Sequence, residues 1–369
     1  MPVSISGTNG VTFPDSSLQA AAASPYVLKN RIINGDFRIS QYNGSSSTTP
    51  TGSAFVIDRW RLIVSASSKL SVQQNAGPVT PPVGFTNYLG LTSLATTAVA
   101  AGDEYVLYQK IEGFNTADLA WGTANAKTVT LSFQVYSSLT GTFGGAINNS
   151  DQSRSYPFSY SVPVANTWTS ISVTVAGDTT GTWLTTNGTG IIVRFGLGVG
   201  STYSGTAGSW SGNAYDSTTG ATSVVGTNGA TWYVTGVQLE IGSTATPFER
   251  RLYNQELANC QRYFEINKYQ VGSQDFVVCT SPQNNNGIGV YPFKVSKRAT
   301  PSTAYSALSD FTCFGSGYAS LTPTALNFVS TTDYCAINPT IGSASFLVQG
   351  AYIVRMTGSN GFMSFSAEL

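Results

Sequence analysis

The sequence predicts an all-β protein: a jelly-roll β-sandwich, then a short helix and a second, smaller β-sandwich domain, all preceded by an extended N-terminal leader. Three observations carry this. Short stretches alternating bulky apolar with small polar residues recur at intervals of about 10 to 20 residues, as strands packed on one face do. Between them lie turn formers, with 38 Gly and 15 Pro in 369 residues. Charged residues make up only 10% of the chain, against 19 Tyr and 19 Phe, a composition suited to pleated, half-buried surfaces. The length exceeds the usual single domain, which allows two β domains and a leader.

Residues 1–27 hold Gly7, Gly10, Pro14 and the alanines Ala20 to Ala23, too few large side chains for a core of their own, so this leader needs a partner or frays. The first domain is expected over 28–247. It opens with Ile32, Ile33 and Phe37 around Asn34-Gly35 and continues into one strand from Phe55 to Val64. Further strands are expected at Lys69–Gln73, Tyr88–Thr92, Tyr105–Ile111, Thr128–Tyr136, Phe158–Val162, Thr169–Val175, Ile191–Val199 and Trp232–Leu239, with Gly236 as a bulge. Beyond Pro247, apolar positions Tyr253, Leu257, Cys260 and Phe264 fall on one helical face, giving a helical joint over 248–268. The last domain, 269–369, shows strand signals at Phe276–Thr280, Gly287–Val295, Ser302–Ala307, Ala325–Val329, Ser345–Met356 and Phe362–Ala367.

Two loops carry candidate binding residues. Residues 200–231 set Tyr203, Trp210 and Tyr215 among Gly, Ser and Thr, followed by Asp216, with Trp183 and Asn187 as candidate neighbours. Aromatic faces stack on sugar rings while a carboxylate or amide holds hydroxyls, and the same composition serves a subunit interface or local packing. In the distal domain the run Gln283, Asn284, Asn285 and Asn286 offers paired donors and acceptors to sugar hydroxyls and reads equally as a turn. Tyr318 and Tyr334 follow in later loops.

Several function classes recede. The 18 basic and 18 acidic side chains cancel, so no basic stripe tracks nucleic-acid phosphates. No apolar run spans a bilayer and no signal peptide is visible, so synthesis in the host cytoplasm without membrane insertion is expected. The cysteines Cys260, Cys279, Cys313 and Cys335 form no CxxC pair and read as free, buried thiols. Histidine is absent, which removes the commonest metal ligand and the usual neutral-pH base. Glycoside cleavage needs two facing carboxylates. Asp15, Glu249 and Glu256 have structural explanations, and neighbouring Asp103 and Glu104 point to opposite faces of a strand, so no enzyme is expected.

The run GVQLEIGSTATPFERRLYNQELANCQRYFE resembles a sequence recurring in bacteriophage tail fibre and related virion appendage proteins. SISGTNGVTFPDSSLQAAA resembles the leader of such subunits, LKNRIINGDFRISQ with VIDRWRL resembles the start of their β-sandwich, and YPFKVSKRATPSTAY with FSAEL resembles their tip. The resemblance implies a virion adsorption protein, a homotrimer whose leader docks on other phage tail or baseplate proteins and whose distal domain contacts host cell-surface glycan. A depolymerase tailspike and a capsid decoration or head fibre protein are the alternatives. The first domain also resembles jelly-roll carbohydrate-binding modules. In those relatives a structural calcium often sits near the opening turn, which makes Asp36 and Glu240 its candidate oxygen donors here.

Overall fold

The computed structural model describes residues 4–6, 10–12, 18–19, 28–269, 274–283, 285–315, 321–342 and 350–369. Most of the leader lies outside them. Within them, β1 (Ser4–Ser6), β2 (Gly10–Thr12) and β3 (Leu18–Gln19) pair as a small antiparallel sheet.

The protein is all-β, with one short α-helix among the described residues. The first sandwich is built from β4 (Ala54–Ile57), β5 (Trp60–Val64), β6 (Leu70–Gln74), β7 (Leu89–Ser93), β8 (Glu104–Glu112) and β9 (Val129–Ser137). It continues with β10 (Gly141–Asn148), β11 (Ser155–Val162), β12 (Thr169–Val175), β13 (Thr189–Val199), the two-residue strands β14 (Ser204–Gly205) and β15 (Ser217–Thr218), and β16 (Thr231–Ile241). Six strands form one sheet in the order β11-β10-β13-β8-β5-β4 and five form the other in the order β12-β9-β16-β7-β6. The chain repeatedly crosses from sheet to sheet, as jelly-roll connectivity requires. Inward positions of both sheets make one core, including Trp60, Phe133, Phe143, Phe195 and Trp232.

Two details differ from the sequence expectation. The run from Phe55 to Val64 is a hairpin, because Arg59 takes φ +71° and turns the chain between β4 and β5. Strand β10 was not anticipated, since its GTFGGAIN sequence reads as a turn. Its glycines serve packing: a Cβ on Gly145 would lie 2.2 Å from the Arg194 carbonyl oxygen, and one on Gly144 would lie 2.4 Å from Ser217 Oγ.

The opening segment and the joint are tied by buried polar groups. Asn30 donates from Nδ2 to the Val237 carbonyl (3.1 Å), and its Oδ1 accepts from the amides of Ile32 (2.9 Å) and Leu239 (3.1 Å). Asn34, at φ +57°, bridges the carbonyls of Ile39 and Asp58. Trp60 Nε1 donates to the Asn34 carbonyl at 3.1 Å. Helix α1 (Tyr253–Gln261) is shorter than the expected joint and its buried face differs. Tyr253 is 55% exposed, whereas Glu256, Cys260 and Gln261 are buried. Glu256 accepts from the Asn34 amide and pairs with Arg251 at 3.1 Å, which is why a carboxylate can occupy that face. Phe264 belongs to β17 (Phe264–Lys268), a strand where helix had been expected.

The distal body adds β18 (Gln274–Gln283), β19 (Asn286–Pro292), β20 (Ser302–Tyr305), β21 (Phe311–Gly315), β22 (Ala325–Ser330), β23 (Tyr334–Thr340), β24 (Ala351–Met356) and β25 (Phe362–Ser366). A three-stranded sheet, β17-β25-β20, faces a six-stranded one, β21-β24-β18-β19-β23-β22. They share a core that includes Val277, Ile337, Val354, Met363 and Phe365. Strands β21 and β23 were not anticipated; in β23 the Asn338-Pro339 pair mimics a turn. All four cysteines are free and buried.

The two bodies meet through paired charges. Arg59 and Glu368, with side chains 2% and 5% exposed, form an ion pair, and Arg59 also lies 3.5 Å from the Tyr263 ring centroid. Glu112 accepts from Arg262 at 2.7 and 3.0 Å and from the Tyr263 hydroxyl at 2.6 Å. Ile33, Ile39, Cys260 and Tyr263, with Leu257 and Leu369, pack around these groups. Replacing Glu368 by Ala strands a buried guanidinium, so Glu368→Ala is expected to cost about 3–5 kcal/mol in urea unfolding monitored by tryptophan fluorescence. Glu368→Gln, which keeps an acceptor for Arg59, should cost clearly less.

Candidate functional site

On the outer face of the five-stranded sheet, alternation turns Ser132, Gln134 and Tyr136 of β9 and Ser170 and Ser172 of β12 away from the core. Thr235 pairs with Gln134 and Gln134 with Ser170 across three strands. Gln134 and Ser170 share a hydrogen bond of 2.8 Å, so this strip is polar, uncharged and preorganised. The register then slips between Thr235 and Gln238, a bulge at the Gly236 position the sequence had indicated. Gly236 has φ +64°, and a Cβ there would come within 2.6 Å of the Phe85 ring, so only glycine lets Phe85 lie on the sheet.

Behind the bulge the chain folds back over its own strand. Gln238 Nε2 donates to Glu240 (2.8 Å) and to the Thr246 carbonyl (3.2 Å), and Glu240 accepts from the Thr246 amide (2.8 Å) and hydroxyl (2.6 Å). This loop sets Pro247 and Phe248 opposite the strip, with Phe248 edge-on to Phe85 at 5.2 Å. Arg250 lies 4.8 Å from the Phe85 ring centroid. The result is an open groove of about 280 Å³ lined by Phe85, Ser132, Gln134, Ser170, Ser172 and Phe248.

One residue pair further along the strands, aromatic rings replace the polar strip. Tyr233 stacks on Tyr136 (5.3 Å, 7°) and on Tyr88 (5.2 Å, 24°), a ladder set by the spacing of adjacent strands. Trp168 closes over Tyr88 and Tyr136 and donates its indole N–H to the Thr80 carbonyl at 2.9 Å. Tyr88 and Tyr233 are buried, while Tyr136 and Trp168 are partly buried against them. Burial pushes the Tyr88 hydroxyl up to about 12. The sequence reading placed Tyr136 and Tyr233 on strands but assigned no binding role to this face. The missed signal was the outward period-2 set Ser132, Gln134, Tyr136.

The residues singled out from sequence fall elsewhere. Trp210 stands edge-on to Trp121 (5.4 Å) and Trp183 (5.5 Å), and its N–H is taken by the Ala176 carbonyl at 2.8 Å. Tyr215 covers Gly205, where a Cβ would meet its ring at 2.2 Å, and its hydroxyl accepts from Asn213 at 3.0 Å. Tyr203 is half-buried, and its carbonyl accepts from the Asp216 amide at 2.8 Å. Within loop 200–231 these contacts pack Trp210 and Tyr215 against the rest of the chain. Asn187 meets Arg298. Asn285 is exposed, with its carbonyl bonded to the Ile341 amide at 3.0 Å, while Asn284 and Tyr318 lie outside the described residues. Tyr334 is 41% exposed.

Asp36 and Glu240 do not fit a calcium. Asp36 Oδ2 is 3.2 Å from Arg38 Nε, and both oxygens of Glu240 are engaged by Gln238 and Thr246, with Lys29 Nζ 3.9 Å away. A divalent cation needs several free hard oxygens, and both sites are already met by cations or protein donors. Among the described residues no cluster of three or more Asp, Glu, His or Cys could hold a metal.

Asp216 is fully buried under the loop and pairs with Arg194 at 2.9 Å. Its other oxygen, Oδ1, has no donor. Burial, reinforced by the facing Glu104 carboxyl, pushes Asp216 up to about 8, because two carboxyls can meet only when one keeps a proton.

Scans against protein-family models and curated proteins return no match. Among solved structures, the chain is similar to the enzymatically active domain of tailspike protein 4 of bacteriophage CBA120, at 13% identity and a TM-score of 0.32, over 58% of this chain and 21% of that one. A family 61 carbohydrate-binding module in complex with β-1,4-galactotriose shows 12% identity and a TM-score of 0.28, covering 58% of this chain and 99% of the module. The family 11 carbohydrate-binding module of Clostridium thermocellum, in complex with a β-1,3-1,4-mixed-linked tetrasaccharide, shows 11% identity and a TM-score of 0.26, covering 54% and 100%.

The Asp216 carboxyl gives a prediction about pH. The folded state holds a proton that the unfolded chain has lost between about pH 4 and pH 8, so stability falls as pH rises through that window, by up to about 1.4 kcal/mol per pH unit. Asp216→Asn imitates the protonated form and should flatten this part of the thermal-melting profile; an unchanged slope would place the proton elsewhere.

Proposed function

We propose that the chain is a non-enzymatic attachment subunit of a phage tail fibre that holds host surface glycan by multivalent contact through the groove on the five-stranded sheet. The groove carries this reading. Phe85 and Phe248 offer apolar edges and faces to a sugar ring, the Gln134, Ser132, Ser170 and Ser172 strip offers uncharged donors and acceptors to its hydroxyls, and the trough is open enough for a chain to lie along it. Attachment is favoured over cleavage because the groove lining holds no carboxylate, whereas glycoside hydrolysis needs two.

Multivalency is supported by the distal body. The outer face of its six-stranded sheet exposes Val278 (65%), Ile288 (48%), Val290 (54%) and Val329 (62%). Val290 and Val329 both pair with Ala336, so apolar side chains run in a row across three strands. A continuous apolar row on a sheet invites a cover. Two further copies of the chain, making three in this reading, supply it and align identical grooves, which raises avidity by roughly a hundredfold to ten-thousandfold without new contacts. In the same reading the leader docks on a neighbouring phage tail or baseplate protein.

Two measurements test this. On a glycan array, Gln134→Ala and Phe248→Ala should each weaken the best signal about tenfold while leaving the melting temperature within a few degrees; signals unchanged in both would move the site off the groove. Native mass spectrometry should give three chains, and Ile288→Asp with Val290→Lys should yield monomers that still bind glycan, only more weakly; a monomeric unaltered protein defeats the multivalent part.

A further inference from the structure

At the joint, on the side of the three-stranded sheet, lies a second cavity of about 420 Å³. It is lined by Tyr42 from the opening segment, by Lys268 and Tyr269 at the end of β17, and by Ser359, Asn360 and Phe362 leading into β25. Its size falls within the range of small-ligand pockets. Tyr42 is held in place by the Phe264 ring at 3.8 Å and by Phe55 at 5.7 Å, so it is wall and not platform. Tyr269 and Phe362 are half-buried and line the cavity, Tyr269 packing on its other side against the distal core.

The polar lining is one-sided in charge. Lys268 sits opposite Phe362 in the register of β17 and β25, and its ammonium donates to the Tyr42 carbonyl at 3.1 Å. It has no carboxylate partner among the described residues, whereas Arg59, Arg262 and Lys297 nearby in the joint all have one. An ammonium anchored by a neutral carbonyl keeps donors free for an incoming anion. Ser359 and Asn360, both exposed, stand beside it with side chains bonded to no protein group among the described residues.

We propose that this pocket is a separate binding site for a sugar unit carrying a carboxylate, its ring against Tyr269 and Phe362, its carboxylate on Lys268 and its hydroxyls met by Ser359 and Asn360. The site stands on its own geometry and does not depend on the groove. Because Tyr42 belongs to the first body and Phe362 to the second, an occupant also bridges the joint.

Isothermal titration of the full chain with trigalacturonic acid, with N-acetylneuraminic acid and with neutral galactotriose tests this. At least one of the two acids should bind more tightly than galactotriose, and raising salt should weaken that preference. Lys268→Gln should reduce the affinity for that acid about tenfold, Lys268→Arg should retain it, and Gln134→Ala in the groove should leave it unchanged. No preference for either acid, a preference indifferent to salt, or one that survives Lys268→Gln overturns the proposal. Loss of acid binding in Gln134→Ala with Lys268→Gln unaffected would assign the acid to the groove, and so also overturns it.

Discussion

The arrangement of the molecule depends on charge buried at one place. Arg251, 9% exposed, donates to the carbonyls of Asn30 and Ile32 and pairs with Glu249 (3.0 Å) and Glu256 (3.1 Å). One guanidinium thereby fixes the opening turn, the loop leaving β16 and the start of α1. Such a group gives little net stability against an apolar substitute of the same shape, but it tolerates one geometry only, since any shift leaves donors unpaired in a dry interior. Arg59 with Glu368 and Lys297 with Glu265 repeat this on the distal side, where Glu265 also accepts from the Tyr291 hydroxyl at 2.7 Å. The bodies are therefore joined by a set of directional contacts, not by a linker.

That same joint produces the groove. The loop from Gly242 to Arg250 must return to present Glu249 to the amide of Asn30 at 2.9 Å, and in doing so it crosses the outer face of the sheet. Gln238 and Glu240, which would otherwise be solvated, anchor it there. Phe248 then stands against Phe85 only because Gly236 lacks a side chain. Site and scaffold are thus one piece of chain, and the groove lining is as fixed as the joint.

How much of this was legible in the sequence follows from the range of each signal. Period-2 alternation is local, so Thr169–Val175 was placed to the residue and the other expected strands of the first sandwich, the Phe55–Val64 run apart, to within a few residues. Where a tertiary demand rewrote the local code, reading failed: the glycines of β10 answer to neighbouring strands, Pro339 sits within a strand, and Arg59 in a left-handed conformation breaks an apparently continuous run. The groove went unread for the opposite reason. Trp210 and Tyr215 stood out because their surroundings are polar in sequence, yet in space they meet Trp121, Trp183 and Gly205. Gln134 and Ser170 are inconspicuous in sequence and come to line one groove only when β9 and β12 are set side by side with Phe85 and Phe248 above them.

If the chain attaches multivalently as proposed, rigidity at the joint bears directly on it. A second binding event gains from the first only as far as the geometry between sites is held, and a flexible hinge would dilute the effective concentration of one groove near another chain's ligand. Charge pairs with side chains under about a tenth exposed, such as Arg59 with Glu368, are weakly screened by salt, so they hold that geometry in media where surface contacts fade. The apolar row of Val290 and Val329 has the complementary property: it is non-directional and strengthens with area, which suits a contact between identical surfaces. On the proposed reading, directional contacts within the chain and non-directional ones between copies divide the work, and an uncharged groove that binds weakly at each copy loses none of its hold.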